Sequence, residues 1–287
     1  MPLNKALLGK TYPSTTAEVT AEAVEKYARA CNETNPRYFD PDLGGGIIAP
    51  PMFAVVATWA SVLQVMTDPD LHADLLRLLH REQDMTFLAA IRPDDVITST
   101  ATIGSIESYA GGESMTLRLD AHNQLGEPIG QTLFGVFIRA ARRDRNSPAE
   151  PRSDTGEPER TGEPLISVTQ TIDRDQTFRY AEASGDRNPI HLDDGVARMA
   201  GLPGIVVHGL CTMAFVSRAI IDGICAGDPT RLRRLRVRFN RPVFPGQSIT
   251  TTAWAAPDSD GRQIVAFETT NSEGAAVIRG GIAEIAP

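Results

Sequence analysis

The 287-residue chain contains an internal repeat, and this duplication restricts its fold more than any other feature of the sequence. Residues 27–40 align without a gap against residues 180–193, sharing Tyr-Ala-x-Ala at the start and Asn-Pro in the middle. Three more pairs of segments follow in the same order. They are 46–52 with 204–210, 87–97 with 239–249, and 123–126 with 271–274. Four matching blocks in one order predict two copies of a single fold.

A compositional break separates the two copies. The segment between them is rich in Arg, Asp, Glu, Pro, Ser and Gly and holds almost no large apolar side chain. That is the composition of a solvated linker, and its length favours a connection between domains. We therefore predict an N-terminal domain at residues 1–140, a linker at 141–163 and a C-terminal domain at 164–287.

Each half begins with the signals of a short helix. Thr20 in one copy and Asp173 in the other are suited to cap free N–H groups at a helix start, and Asp173 with Gln176 resembles a capping box. A proline, Pro36 or Pro189, then ends the element, because the residue before a proline avoids the helical region.

A long apolar helix and period-two strands follow in each half. The helix is predicted at about 52–66 and 210–222, and strands at segments such as 235–239 and 263–269. A helix followed by a run of strands predicts an α+β class, in which each antiparallel sheet wraps around its long helix. Two such halves would pair.

Composition excludes several classes of protein. The net charge of −8 disfavours a nucleic-acid-binding surface. The three scattered cysteines form neither a disulfide framework nor a zinc motif. The longest apolar runs are interrupted and too short to span a membrane, and the final Glu-Ile-Ala-Pro is no targeting tripeptide. We predict a cytoplasmic enzyme without membrane or nucleic-acid partners.

The chemistry is predicted in the second half, in the segment from Ser184 to His191. Asp186 and His191 stand five positions apart across a rigid turn, and Asn188 is suited to fix that turn through its side chain and to contact the substrate. A carboxylate and an imidazole sharing one water are suited to acid–base catalysis near neutral pH. The nearby helix end would favour the protonated form of Asp186.

A second element, His208-Gly209, opens the apolar helix of this half. Free backbone N–H groups at a helix start favour negative charge, and Gly209 lets a ligand approach the backbone closely. Gly209 could therefore stabilise charge developing on a thioester oxygen. His208 is equally consistent with orienting the loop, contacting substrate or packing.

Together these motifs resemble the signature of the MaoC-like (R)-specific enoyl-CoA hydratases and 3-hydroxyacyl-thioester dehydratases. The resemblance implies a double hot-dog fold and reversible hydration of a trans-2-enoyl thioester to the (R)-3-hydroxyacyl thioester. It implies that Asp186 and His191 activate the water and that the Gly209 N–H binds the thioester oxygen. The substrate would be an acyl-CoA or an acyl-carrier-protein thioester. It implies no metal and no cofactor besides coenzyme A in the substrate, and a homodimer is possible.

The first half departs from this signature at each decisive position. Glu33 aligns with Asp186, Tyr38 with His191, and Pro51, which has no N–H, with Gly209. We therefore predict one active site per chain. The resemblance implies that the degenerate half shapes the acyl pocket.

Other readings of these residues stay open. The chain could be a hot-dog thioesterase, or a non-catalytic acyl-thioester-binding subunit of a heteromeric dehydratase. A metal site at His191, His208 and Asp193 matches no standard ligand spacing. The arginine-rich strand 231–241 is either a solvated face or a holder of carrier phosphates. His80 is interpreted as structural.

Overall fold

The computed structural model describes residues 2–140, 158–259 and 261–287. Both halves follow the same element order. The first half contains β1 (Thr15–Glu18), α1 (Ala21–Ala30), α2 (Ala54–Met66), β2 (Leu78–Phe87), β3 (Val96–Tyr109), β4 (Gly112–His122) and β5 (Pro128–Arg139). The second contains β6 (Thr161–Thr171), α3 (Gln176–Ser184), α4 (Asp194–Met199), α5 (Gly209–Gly223), β7 (Leu232–Phe239), β8 (Ser248–Ser259), β9 (Arg262–Asn271) and β10 (Ala276–Ile285).

The strands form one ten-stranded antiparallel sheet in the order β1-β3-β4-β5-β2-β7-β10-β9-β8-β6. Each half contributes five neighbouring strands, and β2 pairs with β7 at the junction, where Gln83 lies opposite Val237. The predicted pair of antiparallel sheets, one for each long helix, is thus joined edge to edge. Pairing the two inner edges removes exposed strand edges at the junction.

The arginine-rich strand lies at this junction. Its alternation buries Leu235 and Val237 completely, while Arg234 bonds the Asp84 carboxylate at 2.7 Å and Arg236 bonds Glu82 at 2.7 Å. These arginines are therefore on the polar face of the sheet, paired with carboxylates of the other half. That arrangement agrees with the interpretation of a polar outer face over an apolar inner one.

The largest hydrophobic cluster is shared by the two copies, while a second cluster lies between α2 and the sheet of the first half. The shared cluster contains residues of both long helices and of both inner sheet faces. Tyr27 of α1 and Tyr180 of α3, which are equivalent in the repeat, meet with 5.8 Å between ring centroids. The two halves are thus related by an approximate two-fold axis that passes between these helices.

Several sequence predictions need adjustment. Thr20 caps α1 as expected, accepting the Ala23 N–H at 3.1 Å, but the Asp173 side chain does not cap α3. That helix starts after Asp175, while the Asp173 carboxylate bonds Arg179 at 2.6 Å. Only the reverse half of the capping box forms, from the Asp173 N–H to the Gln176 side chain at 3.1 Å.

Some elements were not predicted, and part of one prediction lies outside the described chain. β1, β6 and the six-residue α4 are not predicted from the sequence. Residues 141–157 of the predicted linker are not among the described residues, whereas 161–163 belong to β6. In the part of the chain that is described, no helix is long and apolar enough to cross a membrane.

Candidate active site

The turn after α3 fixes the position of Asp186. Gly185 ends the helix in a left-handed conformation with φ of 79°, so the helix ends four residues before Pro189. One carboxylate oxygen of Asp186 accepts the Asn188 N–H at 3.1 Å, and the Asn188 side chain accepts the Ile190 N–H at 3.3 Å. These Asx-type bonds hold the turn, as predicted for Asn188.

A residue of the first half supports this turn. The indole N–H of Trp59, on α2, donates to the Gly185 carbonyl at 3.1 Å. A Cβ atom at Gly185 would lie 3.4 Å from the Trp59 ring, an ordinary contact, so glycine is needed for the positive φ rather than for space. The conformation of the Asp186 segment therefore depends on both copies.

His191 is buried, with 8% of its surface exposed, and its hydrogen bond fixes its tautomer. Its Nδ1 lies 2.8 Å from the Val206 carbonyl oxygen. Because a carbonyl only accepts, Nδ1 carries the proton and Nε2 of the neutral ring keeps a lone pair. Nε2 of His191 is therefore able to accept a proton in the site.

His208 lies behind His191. The two imidazole rings stack with 3.8 Å between centroids and 28° between planes. The His208 Nε2–H donates to the Asp186 backbone carbonyl at 3.0 Å, while Nδ1 has no hydrogen-bond partner in the described residues. His208 is 1% exposed. Because it contacts both the His191 ring and the Asp186 backbone, it is suited to orienting these two residues.

Burial governs the protonation of this group. It raises the pKa of Asp186 above 3.8, although the His191 charge and the Asn188 N–H oppose the shift. Burial lowers the pKa of His191 below 6.5, opposed by the Asp186 charge. The predicted direction for Asp186 agrees with the structure, but its main cause is burial rather than the helix end. Burial, with the His191 charge, also lowers the pKa of His208.

One carboxylate oxygen of Asp186 and one ring nitrogen each of His191 and His208 lie within 4.8 Å of one another. A metal ion could use such a set, although Asp193, which was considered from sequence, instead caps α4 by accepting the Val196 N–H at 2.9 Å. A water molecule shared by Asp186 and His191 fits the same spacing.

Asp186 and His191 face a cavity of about 670 Å³. Asn188 and Gly209 also line it, whereas His208 does not. Gly209 is the first residue of α5, and its N–H donates no hydrogen bond to any described residue, as expected for the first turn of a helix. A Cβ atom at Gly209 would lie 3.2 Å from the Phe239 ring. The site therefore combines two acid–base groups with one free backbone donor.

The first half supplies an apolar wall of the same cavity. The sequence did not identify the individual residues of this wall. This wall is formed by Trp59, Val62, Leu63, Met66, Leu75, Leu76, Leu78, Leu79 and Phe134. His80, interpreted as structural, also lines the cavity, with its ring stacked on Phe134 at 4.1 Å. A bulge between His80 and Glu82 breaks the pairing register there; such bulges redirect side chains.

In the first half, buried residues stand at the positions equivalent to Asp186 and His191. The Glu33 side chain is buried, and burial raises its pKa to about 8. Tyr38 is 1% exposed and its hydroxyl has no partner among the described residues. Neither residue lines the neighbouring cavity of about 60 Å³, which Pro51 and Phe87 border. The copy thus retains the fold without an acid–base pair on the wall of this cavity.

Models of known protein families match both halves of the chain. A model described as MaoC like domain matches residues 157–276, and one described as FAS1-like, dehydratase domain region matches residues 6–132. The peroxisomal enoyl-CoA hydratase 2 of Arabidopsis thaliana is 32% identical over 219 residues, covering 71% of this chain and 68% of that protein. This chain belongs to the MaoC-like dehydratase family.

Solved structures agree with the fold of this MaoC-like dehydratase. A structure titled MaoC-like dehydratase superimposes with a TM-score of 0.83 at 21% identity, covering 98% of this chain and 99% of its own. A conserved hypothetical protein of Mycobacterium tuberculosis, titled as having a double hotdog fold, gives 0.66 at 12% identity, with coverage of 97% and 96%. The predicted double hot-dog fold is confirmed, and so is the assignment to an enzyme family of hydro-lyases.

Proposed function

We propose that this MaoC-like dehydratase catalyses the reversible hydration of trans-2-enoyl-CoA thioesters to (R)-3-hydroxyacyl-CoA thioesters. The proposal depends chiefly on one observation: the Asp186 carboxylate and the His191 ring nitrogen lie within 4.8 Å of each other on the wall of one cavity. The name of the Arabidopsis relative, an enoyl-CoA hydratase, supports the same reaction.

In this mechanism a water molecule binds between Asp186 and His191. The His191 Nε2 or the Asp186 carboxylate accepts a proton from the water as its oxygen bonds to C3 of the enoyl group. The electron pair of the double bond moves toward the thioester, where the Gly209 N–H stabilises the negative oxygen. A proton from the same pair is then delivered to C2. Water is thereby added without a metal or a redox cofactor.

We further propose that the N-terminal half, residues 1–140, shapes the acyl pocket. Its side chains on the cavity wall are aliphatic or aromatic except for His80. Several leucines there are partly open to the cavity, including Leu63 at 43% exposure and Leu79 at 43%. Burying an acyl chain against them removes apolar surface from water, with about 0.8 kcal/mol gained per methylene.

Leu79→Trp is expected to lower kcat/KM for a long-chain enoyl-CoA by roughly tenfold, because displacing two methylenes costs about 1.6 kcal/mol. Crotonyl-CoA, with its four-carbon acyl group, should be hydrated at the wild-type rate. Leu125→Trp is the matched control, since Leu125 is 75% exposed in a turn away from the cavity. Equal losses on short and long substrates would contradict a pocket role.

The acid limb of the kcat/KM profile is expected to have its midpoint below pH 6.5. His191 must be neutral to accept a proton, and burial lowers its pKa below that value. Activity should therefore persist as pH falls from 7 toward 6.5 and be lost only when the Asp186–His191 pair takes up a proton. Hydration rates measured across this range decide the point, and a midpoint above pH 6.5 would count against a neutral buried His191.

The proposed reaction is tested with purified protein, crotonyl-CoA and a long-chain trans-2-enoyl-CoA. Loss of the conjugated enoyl absorbance is followed, and the configuration of the product is determined by chiral chromatography. An (S)-product would overturn the assignment. Release of free CoA thiol without hydration would instead identify a thioesterase, and no turnover would support the inert-subunit alternative.

A cytoplasmic location and a homodimer remain predictions. The Arabidopsis relative is named as peroxisomal, so fractionation of the native cell is the relevant measurement of location. Sedimentation of the purified protein measures the oligomeric state.

A further inference from the structure

The two halves contribute different charges to the wall of the cavity of about 670 Å³. The first half contributes apolar side chains, as described above. The second half contributes two exposed cations, Arg187 and Arg241, and among the cavity-lining residues described these are the only lysine or arginine side chains. Asp186 is the only acid in the same lining. The acidic and cationic side chains of the described lining therefore all come from the second half.

These two arginines differ from the others near them. Arg231 bonds the Ala286 carbonyl at 3.0 Å, and Arg234 and Arg236 form ion pairs across the sheet junction. The Arg187 and Arg241 guanidinium groups, by contrast, have no hydrogen bond or ion pair with any described residue. Their donors are therefore available to a ligand.

Arg187 belongs to the turn that carries Asp186, and Arg241 lies close in sequence to a residue that packs against Gly209. Arg187 lies between Asp186 and Asn188 in the turn after α3. Arg241 lies just after β7, whose last residue, Phe239, packs against Gly209. A ligand held by these guanidinium groups would therefore be positioned relative to the reacting atoms.

The internal repeat provides a comparison within the chain. In the ungapped alignments, Thr34 stands at the position of Arg187 and Ala89 at that of Arg241. Ala89 borders the small cavity of the first half. The half without an acid–base pair therefore also lacks both cations, so the fold itself does not require them.

We propose that Arg187 and Arg241 bind the phosphate groups of the thioester's carrier, a proposal that depends on the proposed function. Guanidinium groups bind phosphate with two parallel hydrogen bonds. The net charge of −8 disfavours a polyanionic ligand, but salt screens charges beyond about 8 Å. Two local cations therefore determine the potential at the cavity rim. Of the arginines in strand 231–241, Arg241 is therefore the one to which we assign phosphate binding.

The test compares thioesters with and without phosphate, using the same trans-2-enoyl group on CoA, on an acyl carrier protein and on N-acetylcysteamine. Arg187→Ala and Arg241→Ala are each expected to raise KM for the phosphate-bearing carrier by roughly tenfold, the loss of one charged contact, with kcat nearly unchanged. The N-acetylcysteamine thioester should show wild-type KM in both variants. Arg279→Ala, an exposed arginine of β10 outside the cavity, is the control for loss of one charge.

The outcomes separate the carriers and separate this proposal from the proposed reaction. A KM increase with the CoA thioester identifies CoA as the ligand, and an increase only with the protein-bound thioester identifies a carrier protein. An equal increase with N-acetylcysteamine, or no increase with either carrier, overturns the proposal. Calorimetric titration of CoA itself, with holo-acyl carrier protein in parallel, measures the same contacts without turnover, so the result stands even if no hydration is observed.

Discussion

Asp186→Asn is expected to lower kcat for hydration of crotonyl-CoA by about 10²–10⁴-fold, the usual contribution of one positioned acid–base group. The substitution keeps an oxygen that can accept the Asn188 N–H, so the turn should persist while the proton acceptor is lost. His191→Asn should cause a similar loss, since an amide can still donate to the Val206 carbonyl but lacks the distal nitrogen. Initial rates and thermal unfolding are measured together.

The chain provides its own control for this prediction. Glu33→Gln changes the equivalent residue of the first half, where the buried carboxyl has a pKa of about 8 and a neutral amide resembles its protonated form. This variant should keep the wild-type kcat. If Asp186 and His191 act on one shared water, the double variant should be little less active than the less active of the two single variants. A Glu33→Gln loss equal to that of Asp186→Asn would contradict a single site.

Gly209→Pro is expected to lower kcat by about 10²–10³-fold, the typical cost of removing one oxyanion donor. Proline is tolerated at the first position of a helix, where its missing N–H breaks no helical bond. The preceding His208 already has φ of −55° and ψ of 135°, which a following proline allows. The substitution therefore removes the donor while leaving the start of α5 compatible with the fold.

Gly209→Ala separates the chemical effect from the steric one. It adds a Cβ atom 3.2 Å from the Phe239 ring, as proline would, but retains the N–H. If the alanine variant loses as much kcat as the proline variant, contact with Phe239 is the cause and the donor role is refuted. Thermal unfolding of both variants shows whether either one disturbs the helix.

Local sequence signals predicted much of the fold and of the site. The repeat identified two equivalent halves, the Thr20 cap was correct, and the spacing of Asp186 and His191 indicated residues that the structure brings together. Glycine after a helix is a common end signal, so Gly185 could have been recognised as the end of α3. The Asp173 cap was wrong because its carboxylate bonds Arg179 of the same helix.

Contacts between distant segments could not be predicted from one sequence. Trp59 reaches Gly185 across 126 positions, and no local pattern marks an indole as the support of a turn in the other copy. The apolar wall combines residues of α2, β2 and β5, whose hydrophobicity alone is equally typical of core residues. His80 faces the cavity through a bulge, and a shift of one residue changes which face a side chain occupies.

The hydrogen bond from Trp59 to Gly185 also limits which amino-acid substitutions the two copies can accept. In a symmetric dimer of single-domain subunits, every substitution is present at both sites, so a residue must suit two surroundings at once. Here the supporting indole and the turn it holds are encoded by separate stretches of one chain. Pro51 can therefore occupy the position equivalent to Gly209, whose N–H is the proposed oxyanion donor. Fusion of the copies allows the substrate wall and the reacting groups to change independently, while this bond sets a limit on how far they can diverge.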